Sequence, residues 1–242
     1  MVIKQIPNAI TSANLFFGCL SIVATFDGNP TLAATYIVIA AILDFFDGFA
    51  ARLLKVSGEM GKQLDSLADV VSFGVAPGFI FYMHSQEHLM FSINFFQFVP
   101  LLIFISYLPF SLMIFSAIRL AKFNIDPRQS DSFIGLPTPA NALFICAIPF
   151  VMANGPLWAE NIFTSLAFLS LYPIIFSYLL IAELPLFALK FKQFSFKGNE
   201  IRYIFIALCT TLLITFTYVG IALSIVLYLL LSIYLKVKNN PS

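Results

Sequence analysis

Charge is scarce along this chain. Lys, Arg, Asp and Glu make up 10% of its 242 residues, against about a quarter in an ordinary soluble domain. With 60% hydrophobic residues and a mean hydropathy of +0.93, that shortage excludes a water-soluble globular protein and leaves a polytopic membrane protein. Cysteine is nearly absent as well. Cys19, Cys146 and Cys209 stand alone in apolar segments, without CxxC or histidine spacing, so neither a disulfide framework nor a zinc site is indicated. The only two histidines, His84 and His88, fall near the far end of a predicted span, and no catalytic part is expected of them. The N-terminal stretch MVIKQIPNAITSANLF has a Pro-Asn break and polar residues where a signal peptide has its apolar core, so no cleaved leader is expected. No internal repeat is visible, and no nucleic-acid partner is expected of a chain with so little charge.

Long apolar runs are what the chain has in abundance. Eight segments are long enough, or nearly so, to cross a hydrocarbon core about 30 Å thick, near residues 10–26, 31–54, 64–84, 98–121, 137–154, 162–190, 201–217 and 219–236. The expected fold is therefore all-α, a helical membrane bundle forming one domain over 1–242. It has a six-helix catalytic core over about 1–192 and two extra helices over about 200–237. The last two segments share one apolar run, divided here at Thr217–Gly220. Residues 1–9, with Ile3, Ile6 and Ile10 at roughly helical spacing, read as an interfacial lead-in.

The basic residues test this arrangement independently of hydropathy. All 13 Lys and Arg residues (Lys4, Arg52, Lys55, Lys62, Arg119, Lys122, Arg128, Lys190, Lys192, Lys197, Arg202, Lys236 and Lys238) fall on one side of an eight-span arrangement. The opposite loops, DGNP, HSQEHLMFSINFFQF and ANGPLWAE, carry none. The positive-inside rule makes the basic side cytoplasmic, with both termini on it. A seven-span arrangement would strand Lys236 and Lys238 outside.

Against this background, DFFDGFAARLLKVSGEMGKQLDSLAD at 44–69 stands out. Ionisable groups in spans are costly and mark functional sites. Asp44 and Asp47 are three apart, Asp65 and Asp69 four apart, so each pair shares a face of its own helix. Facing one another, the two helices would form an oxygen-only cage suited to hard divalent cations, Mg²⁺ or Mn²⁺. A metal pair relieves the mutual repulsion and clamps the attacking and leaving oxygens of a phosphoryl displacement. Gly48 and Ala51 keep the next turn free of bulk, Arg52 offers a phosphate-matching fork, and Lys62 adds a second cation. Simple pairing of acids with bases is the bland alternative, but four carboxylates face only Arg52 and Lys62 here. A cation transporter is the alternative from another class, although spans 2 and 3 offer no polar path beyond the cluster.

Asp44, Asp47-Gly48, Ala51-Arg52, Gly61, Asp65 and Asp69 form a pattern of eight positions at fixed spacing over 26 residues. It resembles in full the signature of the CDP-alcohol phosphotransferase family. The resemblance implies a membrane enzyme that exchanges the CMP of a CDP-linked molecule for an alcohol. By the same resemblance Asp44, Asp47, Asp65 and Asp69 are metal ligands, and Asp69 is also the catalytic base. Asp47, Gly48, Ala51, Arg52, Ser57, Gly61 and Lys62 hold the nucleotide and its pyrophosphate, and the enzyme is a homodimer.

Three further stretches resemble the bacterial phosphatidylserine-forming branch of that family: IPNAITSANLFFG at 6–18, SLADVVSFGVAPG at 66–78, and AIRLAKFN at 117–124 with FIGLPTPANA at 133–142. The implied substrates are CDP-diacylglycerol and L-serine, used in a bacterial cytoplasmic membrane among its lipids. Arg119 and Lys122, three apart on one helix face, and Asn124 could meet an acceptor's carboxylate. A phosphate-bearing acceptor such as glycerol 3-phosphate or inositol phosphate would want the same cations, and both could equally be positive-inside anchors. Asn8, Thr11 and Asn14 either reach the site from the first span or bond between helices. The GLPTP segment at 135–139 should interrupt helix and border the acceptor pocket, while Glu183 is left open between a surface position and a buried pair. Spans 7 and 8 are read as packing, lipid-facing or dimerisation helices.

Overall fold

The computed structural model describes residues 5–56, 58–92, 99–126, 133–186, 195–196 and 199–239. Helices α1 (Ile6–Phe26) and α2 (Pro30–Leu53) form a hairpin whose turn is set by local chemistry. Asn29 Oδ1 accepts the Leu32 amide at 3.1 Å, and Pro30 starts α2 where a missing N–H costs nothing. The helix begins at Ile6, so the expected interfacial lead-in instead supplies, from Ile6 on, the first turn of α1.

A second turn joins α2 to α3 (Glu59–Asp69) and is a Schellman-type cap. Val56 N donates to Ala51 O at 3.0 Å and Lys55 N to Arg52 O at 3.2 Å, with Lys55 itself left-handed at φ 52°. The left-handed residue of this turn is thus a lysine, and Gly58 is extended. α3 continues without a break through a π-helical turn, Val70–Val75, into α4 (Ala76–Ser92). Such wide turns cluster at functional sites. Here one begins on the residue after Asp69.

α5 (Val99–Tyr107) and α6 (Pro109–Ile125) follow as one run interrupted at Leu108. A short strand β1 (Phe133–Ile134) leads to α7 (Thr138–Asn154), α8 (Leu157–Phe163), α9 (Leu166–Ile181) and strand β2 (Pro185–Leu186). β1 and β2 pair antiparallel, Phe133 opposite Leu186. Gly135, at φ +78°, lets the chain turn from β1 into α7 where an added Cβ would meet the Leu180 carbonyl. Gly135 N and Leu136 N donate to Leu184 O at 3.0 Å and Leu179 O at 2.9 Å, which satisfies this irregular backbone within the protein.

Among the described residues, five helical runs are long and apolar enough to cross a membrane: α1, α2, Glu59–Leu89, α5 with α6, and Tyr218–Lys236 of α11 (Tyr218–Asn239). The pair α8 and α9, bent by 63°, makes a sixth if taken as one span. Eight was the expectation. The shortfall arises because α7 and α10 (Glu200–Phe216) are 17 residues each, short of the roughly 20 that a straight span needs. The proposed division at Thr217 does fall between α10 and α11, where Thr217 takes φ 48°. Gly220 brings the start of α11 so close to Leu212 and Leu213 that a Cβ would collide with their backbone.

Small and polar side chains carry much of the packing around the first helix. α1 buries Pro7, Thr11, Asn14, Gly18, Ser21 and Thr25, four and three apart, against α2, α3 and the π-turn. In lipid such a stripe is effective because it lets backbones approach and supplies interhelical hydrogen bonds. The aromatic part of the core lies elsewhere, where Phe81, Phe144, Phe168, Tyr172 and Phe176 stack between α4, α7 and α9. The Tyr172 hydroxyl donates to Asn141 Oδ1 at 2.9 Å, satisfying two buried polar groups.

Candidate active site

The end of α2 and the length of α3 bring the acidic residues together. One carboxylate oxygen from each of Asp44, Asp47 and Asp65 lies within 4.8 Å of the other two. Asp47 is 5% exposed and Asp69 9%, while Asp44 and Asp65 are half-buried. Asp69 stands beside this trio, its carboxyl within hydrogen-bonding reach of Asp44. Carboxylates crowded in this way repel one another, and oxygen-only donors at this spacing suit a hard divalent cation. The cage fits the metal that its residue types announced.

Two residues of α1 hold the cage from behind, and sequence reasoning left both undecided. Thr11 Oγ1 donates to Asp47 Oδ2 at 2.5 Å, and Asn14 Nδ2 donates to Asp69 Oδ1 at 3.4 Å. α1 is itself pinned to the π-turn, because Ser72 Oγ donates to the Asn14 carbonyl at 3.1 Å opposite Gly18. Metal-binding carboxylates are characteristically oriented by such outer partners. The three-residue spacing of Asn8, Thr11 and Asn14 was the signal available in the sequence.

A cavity of about 480 Å³ opens in front of the cage. Asp47, Gly48, Ala51, Gly61, Lys62 and Asp65 line it, and Asn8 and Thr11 add a wall from α1. Arg52 does not line it. Its guanidinium lies over Gly48, with Nη1 3.6 Å from where a Cβ would stand. Ser57 lies outside the described residues.

A second cavity, of about 330 Å³, lies between the end of α6, β1 and the end of α9. Arg119, Lys122, Ile134 and Glu183 are among its lining residues, so Glu183 joins the predicted acceptor cations. Arg119 is 6% exposed, stacks over Phe123 at 5.6 Å, and its Nε has no hydrogen-bond partner. It also lies within electrostatic reach of Asp69. Asn124 does not line this cavity. Its side-chain amide donates to Ser66 Oγ at 2.7 Å while its carbonyl accepts Lys62 Nζ at 2.9 Å, tying α6 to α3. Ile134, one residue before GLPTP, lines the cavity, and GLPTP itself forms the turn into α7. His84 Nε2 donates to Phe163 O at 3.0 Å. Fifteen residues of helix, about 22 Å of rise, separate it from Asp69.

Known proteins share this arrangement of sequence. The family model for CDP-alcohol phosphatidyltransferase matches residues 4–173. A CDP-diacylglycerol–serine O-phosphatidyltransferase of Helicobacter pylori strain J99 is 39% identical over 141 residues, which are 57% of this chain and 54% of the relative. One of the same description from Bacillus subtilis strain 168 is 35% identical over 147 residues, 61% of this chain and 76% of the relative. An archaetidylserine synthase of Methanothermobacter thermautotrophicus is 31% identical over 143 residues, 58% of this chain and 55% of the relative. The match thus spans about half the length of the Helicobacter and Methanothermobacter proteins. With the family model covering most of its length and the acidic cage assembled as the motif requires, the chain belongs to the CDP-alcohol phosphatidyltransferase family.

Proposed function

We propose that this protein is a phosphatidylserine synthase, transferring the phosphatidyl group of CDP-diacylglycerol to the hydroxyl of L-serine and releasing CMP. The observation that carries the reading is the buried Arg119, within electrostatic reach of Asp69, a cation without a hydrogen bond at Nε that lines the second cavity. The names of the Helicobacter and Bacillus relatives support serine as the acceptor.

In this reading Asp44, Asp47, Asp65 and Asp69 hold divalent cations, Mg²⁺ or Mn²⁺ and two in number. When bound, the metal neutralises charge on the diphosphate and on departing CMP. Gly48, Ala51 and Gly61 leave space for the nucleotide, and Lys62, with Arg52 swung inward, meets its phosphates. Thr11 and Asn14 keep Asp47 and Asp69 oriented. Arg119 and Lys122 pair with the serine carboxylate. Asp69 takes the proton of the serine hydroxyl as that oxygen bonds to the β-phosphorus and the bond to the CMP oxygen breaks. No covalent enzyme intermediate is involved.

The liponucleotide's acyl chains lie in the bilayer, and the cage opens to the cytoplasmic side, where the basic residues gather. The protein acts in a bacterial cytoplasmic membrane as a homodimer, both features carried over from the family resemblance. The test is the acceptor dependence of CMP release. Membranes containing the protein, supplied with CDP-diacylglycerol and Mn²⁺, should release CMP on addition of L-serine and not of glycerol 3-phosphate or inositol phosphate. Release unaffected by serine refutes the proposal.

A further inference from the structure

The last turns of α6 carry the basic residues of the second cavity, and three hydrogen bonds fasten them to α3, which bears Asp65 and Asp69. Asn124 Nδ2 donates to Ser66 Oγ at 2.7 Å, Ser66 Oγ donates to the Lys62 carbonyl at 3.2 Å, and Lys62 Nζ donates to the Asn124 carbonyl at 2.9 Å. Together they close a ring. Each group is used according to its type: the side-chain amide nitrogen and the ammonium donate, the two carbonyls accept, and the hydroxyl does both. The carbonyl that Lys62 reaches stands in the final turn of α6, where the helix itself supplies no partner and a cation is favoured.

The ring joins the walls of both cavities. Lys62 and Asp65 line the first, and Lys122 and Ile125, on either side of Asn124, line the second. Ser66 and Asn124 line neither. Elsewhere α6 packs on α9, the π-turn and α4, so these bonds are its direct tie to the cage-bearing α3. An attacking hydroxyl must meet its phosphorus within a fraction of an ångström, and misplacement by about 1 Å can cost about 100-fold in rate. Ser66 directly follows Asp65, and Asn124 lies two residues after Lys122. A slip at this joint would therefore move the acceptor's cations relative to the cage.

We propose that Ser66 and Asn124 are positioning residues, which touch no substrate and hold the basic residues of α6 in register with the acidic cage. The inference rests on reading the second cavity as the acceptor's. Ser66→Ala removes the hydroxyl and suits a helix, and Asn124→Ala removes the amide. Initial rates of CMP release are measured for the full chain with serine varied at saturating CDP-diacylglycerol and Mn²⁺, in four proteins: wild type, S66A, N124A and the double variant. Each single variant should raise the serine KM about three- to tenfold, the loss of one hydrogen bond, with the KM for CDP-diacylglycerol within about twofold of wild type. Loss of folded protein would instead lower kcat and leave KM alone. The double variant should lie within about twofold of the worse single one, because both remove the same bond. A serine KM unchanged in S66A, whatever N124A does, overturns the inference, as do effects that multiply in the double variant. Serine-independent CMP release by the wild type overturns the reaction instead. The joint is then read by amide hydrogen exchange over residues 122–126, expected at least about threefold faster in both variants, and unchanged exchange overturns it too.

Discussion

Replacing Thr11 with Val changes one atom of consequence in a buried position. The side chain keeps its branched shape and its place on α1, 4% exposed, but loses the hydroxyl that donates to Asp47 Oδ2. That hydroxyl has one proton and two neighbours, the carboxylate at 2.5 Å and the Pro7 carbonyl at 3.0 Å. The shorter, charged partner takes it. A hydrogen bond to a charged group contributes about 1.5–3 kcal/mol, or about 10- to 100-fold in metal affinity, matching the usual effect of losing an outer partner of a metal-binding carboxylate. Folding should suffer little, since Val buries as readily as Thr and the Pro7 carbonyl keeps its helical environment. Titration calorimetry of Mn²⁺ into the purified protein should therefore show weaker binding by that factor. CMP release should recover toward the wild-type rate at saturating metal, because Thr11 touches no reacting atom. Affinity within about twofold of wild type would refute the argument that α1 tunes the cage.

Asp69→Asn keeps the shape of the base and removes its ability to take a proton. CMP release should fall by about 10²- to 10⁴-fold, while Mn²⁺ still binds through Asp44, Asp47 and Asp65. Turnover close to wild type would remove Asp69 from the role of base. Gly135→Ala should lower the thermal midpoint of the protein in detergent. The left-handed φ of +78° costs a side chain about 1–2 kcal/mol, and its Cβ would meet the Leu180 carbonyl. An unchanged midpoint would show that β1 and α9 can part without loss.

Much of the fold was legible because a helix in lipid must satisfy its own backbone. Each apolar run became a helix, and even the break at Thr217 was marked by basic residues at both ends of the last run. How many of those helices span was less legible, since α7 and α10 are short and α8 is bent against α9. In the site, Asp44, Asp47 and Asp65 come together, with Asp69 beside Asp44. The roles of single polar residues were harder to assign. Asn124 pairs with Ser66 instead of lining the acceptor cavity, Arg52 folds over Gly48 instead of lining the first, and Glu183, left open by the sequence, lines the second.

By itself, then, the sequence determined that this is a helical membrane protein with a carboxylate cage at one end of its second and third spans. Periodicity and charge are local properties, and the chemistry of the cage is written in 26 consecutive residues. Only the tertiary structure decided what stands behind and beside that cage: Thr11 and Asn14 holding its carboxylates, and Arg119 in a second cavity reached by the C-terminal hairpin. In a chain this apolar, one helix face looks much like another. Which faces meet is settled by small residues and single interhelical hydrogen bonds, far apart in sequence and invisible until the bundle packs.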